Sequence, residues 1–349
     1  MDALLIDAWT AGVAAVPTRD EASVSAAREA VRERGREIGL PHEVVERVAL
    51  AASELVTNQL VHARSGCFGV RAVARGGVPG LEIVAADGGR GIDDPARALA
   101  GPGPSKRSLG AGLAAARRAT DELDVDVRAG EGTCVRARAF ATPLPRGREV
   151  GILSRPLDKE PVSGDHAVVL RDGAVLLVAV IDGIGHGEAA RDASDRAVAA
   201  VLDRGSAHPV TPHPTLLRSP SAVLHACHAA LTGSRGAVMS AARVDDDAGH
   251  VEHAGAGNVT TRIDGFDRSK RFGASAATLG ARGTKLRVVA ETAAFERGDA
   301  LVMFTDGLAS RASLTETRHL LHEHPIVIAQ RLMETFGRAT DDALVLVVR

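Results

Sequence analysis

Apolar and polar positions alternate along this chain with two different periods. The Ala-, Arg- and Glu-rich stretch 21–38 predicts a helix. Pro41 opens a second one, in which Val44, Val45, Val48, Leu55 and Val56 recur at helical spacing. Stretches 69–74 and 81–86 read as strands joined by a turn over 75–80, and Gly101-Pro102-Gly103-Pro104-Ser105 reads as a flexible loop. A helix over 113–123 and strands over 125–128 and 133–140 complete the first half. The segment 143–147 is the expected boundary, dividing the chain into domains of 1–143 and 144–349.

In the second half, strands are expected over 149–154, 166–170 and 175–181, and a helix over 188–204. A surface loop with four prolines covers 208–220, and a helix follows over 222–231. Further strands are predicted at 237–243, 250–253, 286–291, 301–304 and 343–348. Runs of strands and helices without regular βαβ alternation give an α+β class.

Composition narrows the function. Lys and Arg total 42 against 44 Asp and Glu, so there is no basic excess of the kind that nucleic acid or anionic membrane calls for. Aromatic residues make up 2% and Tyr is absent, so Ala, Val and Leu must fill the cores. Cys67, Cys134 and Cys227 form no CxxC pair and read as reduced structural thiols. The start of the chain lacks a basic leader, and the longest apolar run, 174–181, is far short of the ~20 residues that span a bilayer. A cytoplasmic location is expected, and the oligomeric state is left open.

Chemistry in the first half gathers in three places. Glu54, Asn58 and His62 are four residues apart and project from one helical face. An amide there can supply oxygen to Mg²⁺, and a carboxylate can orient or deprotonate a hydroxyl. Asp87 ends an apolar strand and is followed by Gly89 and Gly91, a setting in which a carboxylate can accept a hydrogen bond from an adenine amino group. Gly110-Ala111-Gly112-Leu113 enters a helix, whose free N–H groups can cradle phosphate. Lys106 and Arg107 read as solvated loop charges, with a phosphate contact by one of them as the alternative.

With Ala52-Ser53-Glu54-Leu55 through Asn58 and Ser108-Leu109-Gly110-Ala111-Gly112-Leu113, residues from about 20 to 140 resemble the GHKL (Bergerat-fold) ATPases. The likeness is to the RsbT-like serine kinases that act as anti-sigma and stress-switch regulators. The resemblance implies a Bergerat-type α/β sandwich binding ATP and Mg²⁺. It implies Glu54 as catalytic base, Asn58 as Mg²⁺ ligand and Asp87 as the adenine reader supported by Thr133. Gly89 and Gly91 would lie along the base, and Gly110, Gly112 and Leu113 at the phosphates.

In the second half, aspartates stand where apolar strands begin or end: Asp165, Asp182, Asp306 and the pair Asp341-Asp342. β propensity disfavours acids at such places, and an oxygen-only donor set suits Mg²⁺ or Mn²⁺. His225 and His228 read as incidental, and His186 as a residue near the cluster rather than a ligand. Residues from about 148 to 349, with Asp182-Gly183-Ile184-Gly185-His186-Gly187 among them, resemble the metal-dependent type 2C protein phosphatases of the SpoIIE/RsbX-like subgroup. That resemblance implies an αββα sandwich with two Mn²⁺ or Mg²⁺ ions held by Asp165, Asp182, the Gly183 carbonyl, Asp306 and Asp341. Asp342 competes with Asp341 for the last place, and Asp341 is preferred by its offset from the closing strand. It further implies direct hydrolysis of phosphoserine or phosphothreonine without a phosphoenzyme, and a structural role for the glycine-rich hairpin around 252–258.

Together the halves suggest a bifunctional switch, a kinase and a phosphatase acting on STAS-domain regulators, with a sigma factor or phosphatase activator as further candidate partners. Two alternatives stand beside it. The first half can be an ATP-gated binding module that transfers no phosphate, or the second half can hydrolyse a small phosphorylated metabolite.

Overall fold

The computed structural model describes residues 16–63, 65–101, 112–202, 218–283 and 285–349. The chain divides into two compact units, Met1–Val150 and Gly151–Arg349.

The first unit begins with β1 (Val16–Thr18) and helix α1 (Glu21–Glu37), which is started by a capping box between Asp20 and Ser23. Helix α2 (His42–Asn58) follows Pro41 and buries Val44, Val45, Val48, Leu55 and Val56, the stripe expected from the sequence. It continues into one π-helical turn, Gln59–Ala63, a local widening that recurs at functional sites. Gln59 pins that turn to the strands: its side-chain amide donates to the carbonyls of Cys67 and Ala86, both at 2.9 Å, and accepts from the Thr18 hydroxyl at 2.9 Å. Then come β2 (Gly66–Arg75), β3 (Val78–Asp87), α3 (Pro95–Ala100), α4 (Gly112–Ala119), β4 (Glu122–Arg128) and β5 (Gly132–Phe140). The strands run in the order β1-β2-β3-β5-β4 with antiparallel neighbours, and α2 packs on β3 and β5.

Register in this sheet is fixed by charge as well as by apolar burial. Arg71, Glu82, Arg138 and Glu122 stand opposite one another across β2, β3, β5 and β4, an alternating ladder in which Glu82, Glu122 and Arg138 are almost wholly buried. Asp124 sits one row along and takes Arg136 and Arg138 at 3.1 and 2.7 Å. A one-residue slip would break every pair, so the ladder specifies the alignment. It also explains a misread boundary. The helix expected over 113–123 ends at Ala119, where the Thr120 hydroxyl donates to the Ala116 carbonyl at 2.8 Å. The strand starts three residues earlier than its expected position 125, because Glu122 and Asp124 find arginines on β5.

The second unit comprises β6 (Val150–Arg155), β7 (Asp165–Asp172), β8 (Val175–Gly183), α5 (Glu188–Val201), α6 (Pro220–Ala230), β9 (Ala237–Asp245), β10 (His250–Ala256), β11 (Thr260–Asp264), β12 (Ser269–Arg271), β13 (Glu291–Ala294), β14 (Ala300–Phe304), α7 (Pro325–Phe336) and β15 (Ala343–Val348). One sheet has the order β13-β10-β9-β8-β7 and carries α5 and α6. The other runs β6-β15-β14-β11-β12 and carries α7. β15 lies next to β7 across the interior, which gives four layers, αββα. β15 is apolar throughout, Ala-Leu-Val-Leu-Val-Val, because it is buried on both faces.

Five elements escape the sequence pattern: β1, α3, β11, β12 and α7. Helix α7 opens Pro325-Ile326-Val327-Ile328, an apolar run that resembles a strand. It is helical because the His324 side chain accepts from the Ile326 N–H at 3.2 Å, and because nearly every side of its first two turns is buried. The strand expected over 286–291 is displaced to β13, where only 291–294 reach β10. Residues 208–217 of the proline-rich loop lie outside the described residues. All three cysteines are free thiols. No helix among the described residues is long and apolar enough to cross a membrane.

Candidate functional site

In the first unit three separate sequence segments converge at the end of α2. Glu54 and Asn58 are half-buried on that helix, and His62 is exposed on the π-helical turn. Gly112 begins α4 directly against Asn58: a Cβ on Gly112 would lie 2.2 Å from the Asn58 side-chain nitrogen. Leu113 beside it is buried. Asp87 ends β3 opposite Thr133, and its carboxylate accepts from the backbone N–H groups of Gly89, at 2.9 Å, and of Thr133. Burial raises the Asp87 pKa, and these two donors oppose that shift. Gly91 has a left-handed φ of +84°, and a Cβ there would meet the Arg128 carbonyl at 2.9 Å. Gly130 donates to the Arg90 carbonyl at 3.0 Å, which holds the turn after Asp87 against the β4–β5 hairpin. Gly110, with Lys106, Arg107 and 108–111, lies outside the described residues.

The second unit gathers carboxylates instead. Asp165 at the start of β7 is in register with Asp182 near the end of β8. The Thr305 hydroxyl donates to Asp165 at 2.6 Å and accepts from the Leu344 N–H at 3.0 Å, joining the ends of β7, β14 and β15. Asp306 accepts from the Asn258 amide at 2.8 Å. Asp342 takes the N–H groups of Leu157 and Gly164 at 2.6 and 2.7 Å, so both its oxygens are engaged by the loop before β7. Among the described residues Asp341 accepts only the adjacent Asp342 N–H, at 2.9 Å. Gly183 lies against α5 so closely that a Cβ would stand 2.1 Å from the Ala190 carbonyl. His186 pairs with Glu160 at 2.7 Å on the exposed rim.

The electrostatics of this cluster are only partly relieved, by the Thr305 hydroxyl at Asp165 and by Asn258 and Arg338 at Asp306. Burial and the neighbouring Asp306, Asp341 and Asp342 push Asp182 up to about 8. Burial and then Asp182 raise Asp165 well above the ordinary carboxylate range, and burial and Asp341 raise Asp306. None of the five aspartates forms an ion pair with Lys or Arg among the described residues. Nor do three of the described ligand-type side chains close on a single point as a preformed cage. Hard oxygen donors with mutually raised pKa values are a donor set that divalent cations satisfy. The structure thus brings together all five aspartates expected from the sequence. Sequence reasoning missed Thr305, Asn258 and Glu160. The first two stand next to recognised segments, and only the tertiary fold aims them at Asp165 and Asp306.

A Bergerat-type nucleotide unit joined to an αββα unit with an acidic centre defines a kinase-like ATPase fused to a type 2C phosphatase. Residues 172–349 match the Stage II sporulation protein E (SpoIIE) family, and the chain belongs to it. Residues 16–139 match the Histidine kinase-like ATPase domain. Within the first unit the chain is 36% identical over 117 residues to serine/threonine-protein kinase RsbT of Bacillus subtilis (strain 168), covering 34% of this chain and 88% of that protein. A solved chain from work on the bacterial stressosome, a modular system adapted to control secondary messenger signalling, is similar at 28% identity and a TM-score of 0.50, covering 58% of this chain and 99% of the other. RsbX in complex with magnesium gives 19% identity, a TM-score of 0.49 and coverage of 59% and 96%. The chain is an RsbT-like serine kinase domain fused to a SpoIIE-type phosphatase domain.

Proposed function

We propose that this protein sets the phosphorylation state of a STAS-domain regulator in both directions, in a cytoplasmic partner-switching pathway. The observation that carries the reading is the unneutralised cluster of Asp165, Asp182, Asp306, Asp341 and Asp342, in the same chain as the contact between Asn58 and Gly112. The two sites call for opposite ligands.

In the first unit, Asp87 would accept the adenine amino group, held in place by Gly89 and Thr133. Gly91 leaves room for the base, while Gly110, Gly112 and Leu113 would border the phosphates. Asn58 would hold Mg²⁺, and Glu54, one turn away on the same face, would accept the proton of the attacking serine or threonine hydroxyl. The fit to ATP rests on the glycine contacts: a side chain at Gly112 would fill the space beside Asn58.

In the second unit, Asp165, Asp182, the Gly183 carbonyl, Asp306 and Asp341 are the donors for Mn²⁺ or Mg²⁺. Asp341 is preferred to Asp342, whose oxygens already hold two backbone N–H groups. Divalent ions there would supply Lewis-acid activation of water and charge neutralisation for a phosphoryl group. Thr305 and Asn258 orient Asp165 and Asp306, and the Asp342 clamp holds the 157–164 loop at the rim. Sharing one chain keeps both sites at high effective concentration around a common partner.

The test is phosphate transfer from γ-labelled ATP to STAS-domain proteins, made with the Asp182→Asn chain so that label persists. Label on serine or threonine that disappears with Glu54→Ala supports the reading. Undiminished ATP binding without any label would leave the first unit as a binding module.

A further inference from the structure

Phosphoester hydrolysis at the acidic centre needs positive charge beyond the metal ions. Two divalent cations bring four positive charges against the five carboxyl groups of Asp165, Asp182, Asp306, Asp341 and Asp342, and a phosphoester dianion adds further negative charge. A side-chain cation should therefore stand at the rim without being consumed by one of the carboxylates. Arg235 meets that description.

Arg235 lies on a rigid turn entering β9. The Ser234 hydroxyl donates to the Leu231 carbonyl at 2.7 Å and accepts from the Gly236 N–H at 3.0 Å. Gly236 has φ +88°, and a Cβ there would stand 2.6 Å from the Leu279 carbonyl. This turn is bonded to the segment that follows Asp182: Ala237 is in register with Gly183, and the Ile184 N–H donates to the Gly236 carbonyl at 3.1 Å. The guanidinium extends over that segment, since a Cβ on Gly185 would lie 3.1 Å from Nη1 of Arg235. Arg235 is exposed and, among the described residues, makes no ion pair or side-chain hydrogen bond. Ile184, 40% exposed, stands beside it.

The rival cation is Arg338. Its N–H donates to the Gly307 carbonyl at 2.7 Å, and its charge already acts on Asp306, whose pKa it lowers. Arg338 is thus directed at a carboxylate, whereas the exposed Arg235 stands over Gly185, in the segment that follows Asp182 and Gly183. A guanidinium fork matches two phosphoryl oxygens at once.

We propose that Arg235 is the residue that binds the phosphoryl oxygens of the substrate, positioned by the turn bonded to the Asp182–Gly187 segment. The proposal rests on the phosphatase reading of the acidic centre. It predicts a binding role separable from metal binding.

The experiment compares the full-length wild-type chain with Arg235→Ala, Arg235→Lys and Arg338→Ala. Hydrolysis of p-nitrophenyl phosphate and of a phosphoserine peptide is measured, together with calorimetric titration of Mn²⁺ and, in Mg²⁺, of inorganic phosphate. Arg235→Ala should raise KM for both substrates and the Kd of inorganic phosphate by about 10- to 100-fold. Its kcat should stay within about threefold and its Mn²⁺ affinity should be unchanged. Arg235→Lys should recover part of the loss, and Arg338→Ala should leave phosphate binding near the wild-type value. The proposal is overturned if Arg235→Ala binds phosphate and both substrates as the wild type does while Mn²⁺ binds normally. A defect confined to the peptide, or one that appears in Arg338→Ala instead, overturns it as well. A wild-type chain that binds no Mn²⁺ and cleaves neither substrate would remove the phosphatase reading, and this assignment with it.

Discussion

Two groups of buried charges in this chain are treated in opposite ways. In the first unit, Glu82, Glu122 and Asp124 are met by Arg71, Arg136 and Arg138, so each carboxylate has a guanidinium against it. In the second, Asp165 is buried and Asp182 partly buried, and each has other acids around it and no ion-paired guanidinium among the described residues. Arginine ladders hold the charged form of their carboxylates, and the Glu82 pKa stays low despite full burial. The aspartate centre pushes its pKa values up instead. Burial of charge alone therefore says little about function. Neutralised charge fixes strand register, and unneutralised like charge at strand ends marks a place whose donors suit a divalent cation.

The sharpest way to break this comparison is Asp182→Asn. We expect phosphatase turnover to fall by about 10³-fold or more, from the several kcal/mol a metal contributes to phosphoryl chemistry. The metal-free chain should meanwhile melt at a higher temperature, which thermal unfolding in EDTA would record. A matched loss of stability and activity would mean that the centre is structural. Glu54→Ala should lower phosphate transfer about 10²- to 10⁴-fold while leaving nucleotide affinity intact, as titration of ATP would show.

Arg138→Ala supplies the converse. Removing one guanidinium from the ladder leaves Glu82, Glu122 and Asp124 buried with reduced compensation and should cost about 3–5 kcal/mol in urea unfolding. Phosphoester hydrolysis by the molecules that remain folded should be unchanged. Asn258→Ala is milder: it frees Asp306 without removing a ligand and should weaken Mn²⁺ binding about 10- to 100-fold by calorimetry.

The smallest effect is one of pH. Burial and its acidic neighbours push the Asp182 pKa up to about 8 in the folded, metal-free chain, above its unfolded value of ~3.9. The protonated form therefore favours the fold: the stabilisation is complete below about pH 4 and is lost as pH rises through 8. Melting temperature in EDTA should drop between pH 6 and pH 8.5 by more in the wild type than in Asp182→Asn. Saturating Mn²⁺ should remove the difference, because metal binding displaces the proton. An identical pH slope in both proteins would count against the coupling.

Much of this organisation was legible in the sequence because it depends on local signals. Asp87 and Asp182 announce themselves as acids ending apolar strands, and Pro41 with the Val44–Val56 stripe marks α2. What was not legible depends on pairing partners far along the chain. Glu122 reads as the end of a helix until Arg75 and Arg138 are placed beside it. Asn258 reads as part of a glycine-rich hairpin until β14 delivers Asp306 from 48 residues away. Offset from the closing strand prefers Asp341 to Asp342, and the two N–H groups that occupy Asp342 support the same preference.

The most direct test of a chain that both adds and removes phosphate is steady-state release of inorganic phosphate from ATP in the presence of the proposed STAS-domain partner. If both sites work on the same partner, the wild-type chain should cycle it, and phosphate release should depend on partner, Mn²⁺, Glu54 and Asp182 alike. Glu54→Ala should release nothing, and Asp182→Asn should stop after a single stoichiometric transfer. Continued phosphate release by Asp182→Asn at the wild-type rate would show simple ATP hydrolysis in the first unit and contradict the account.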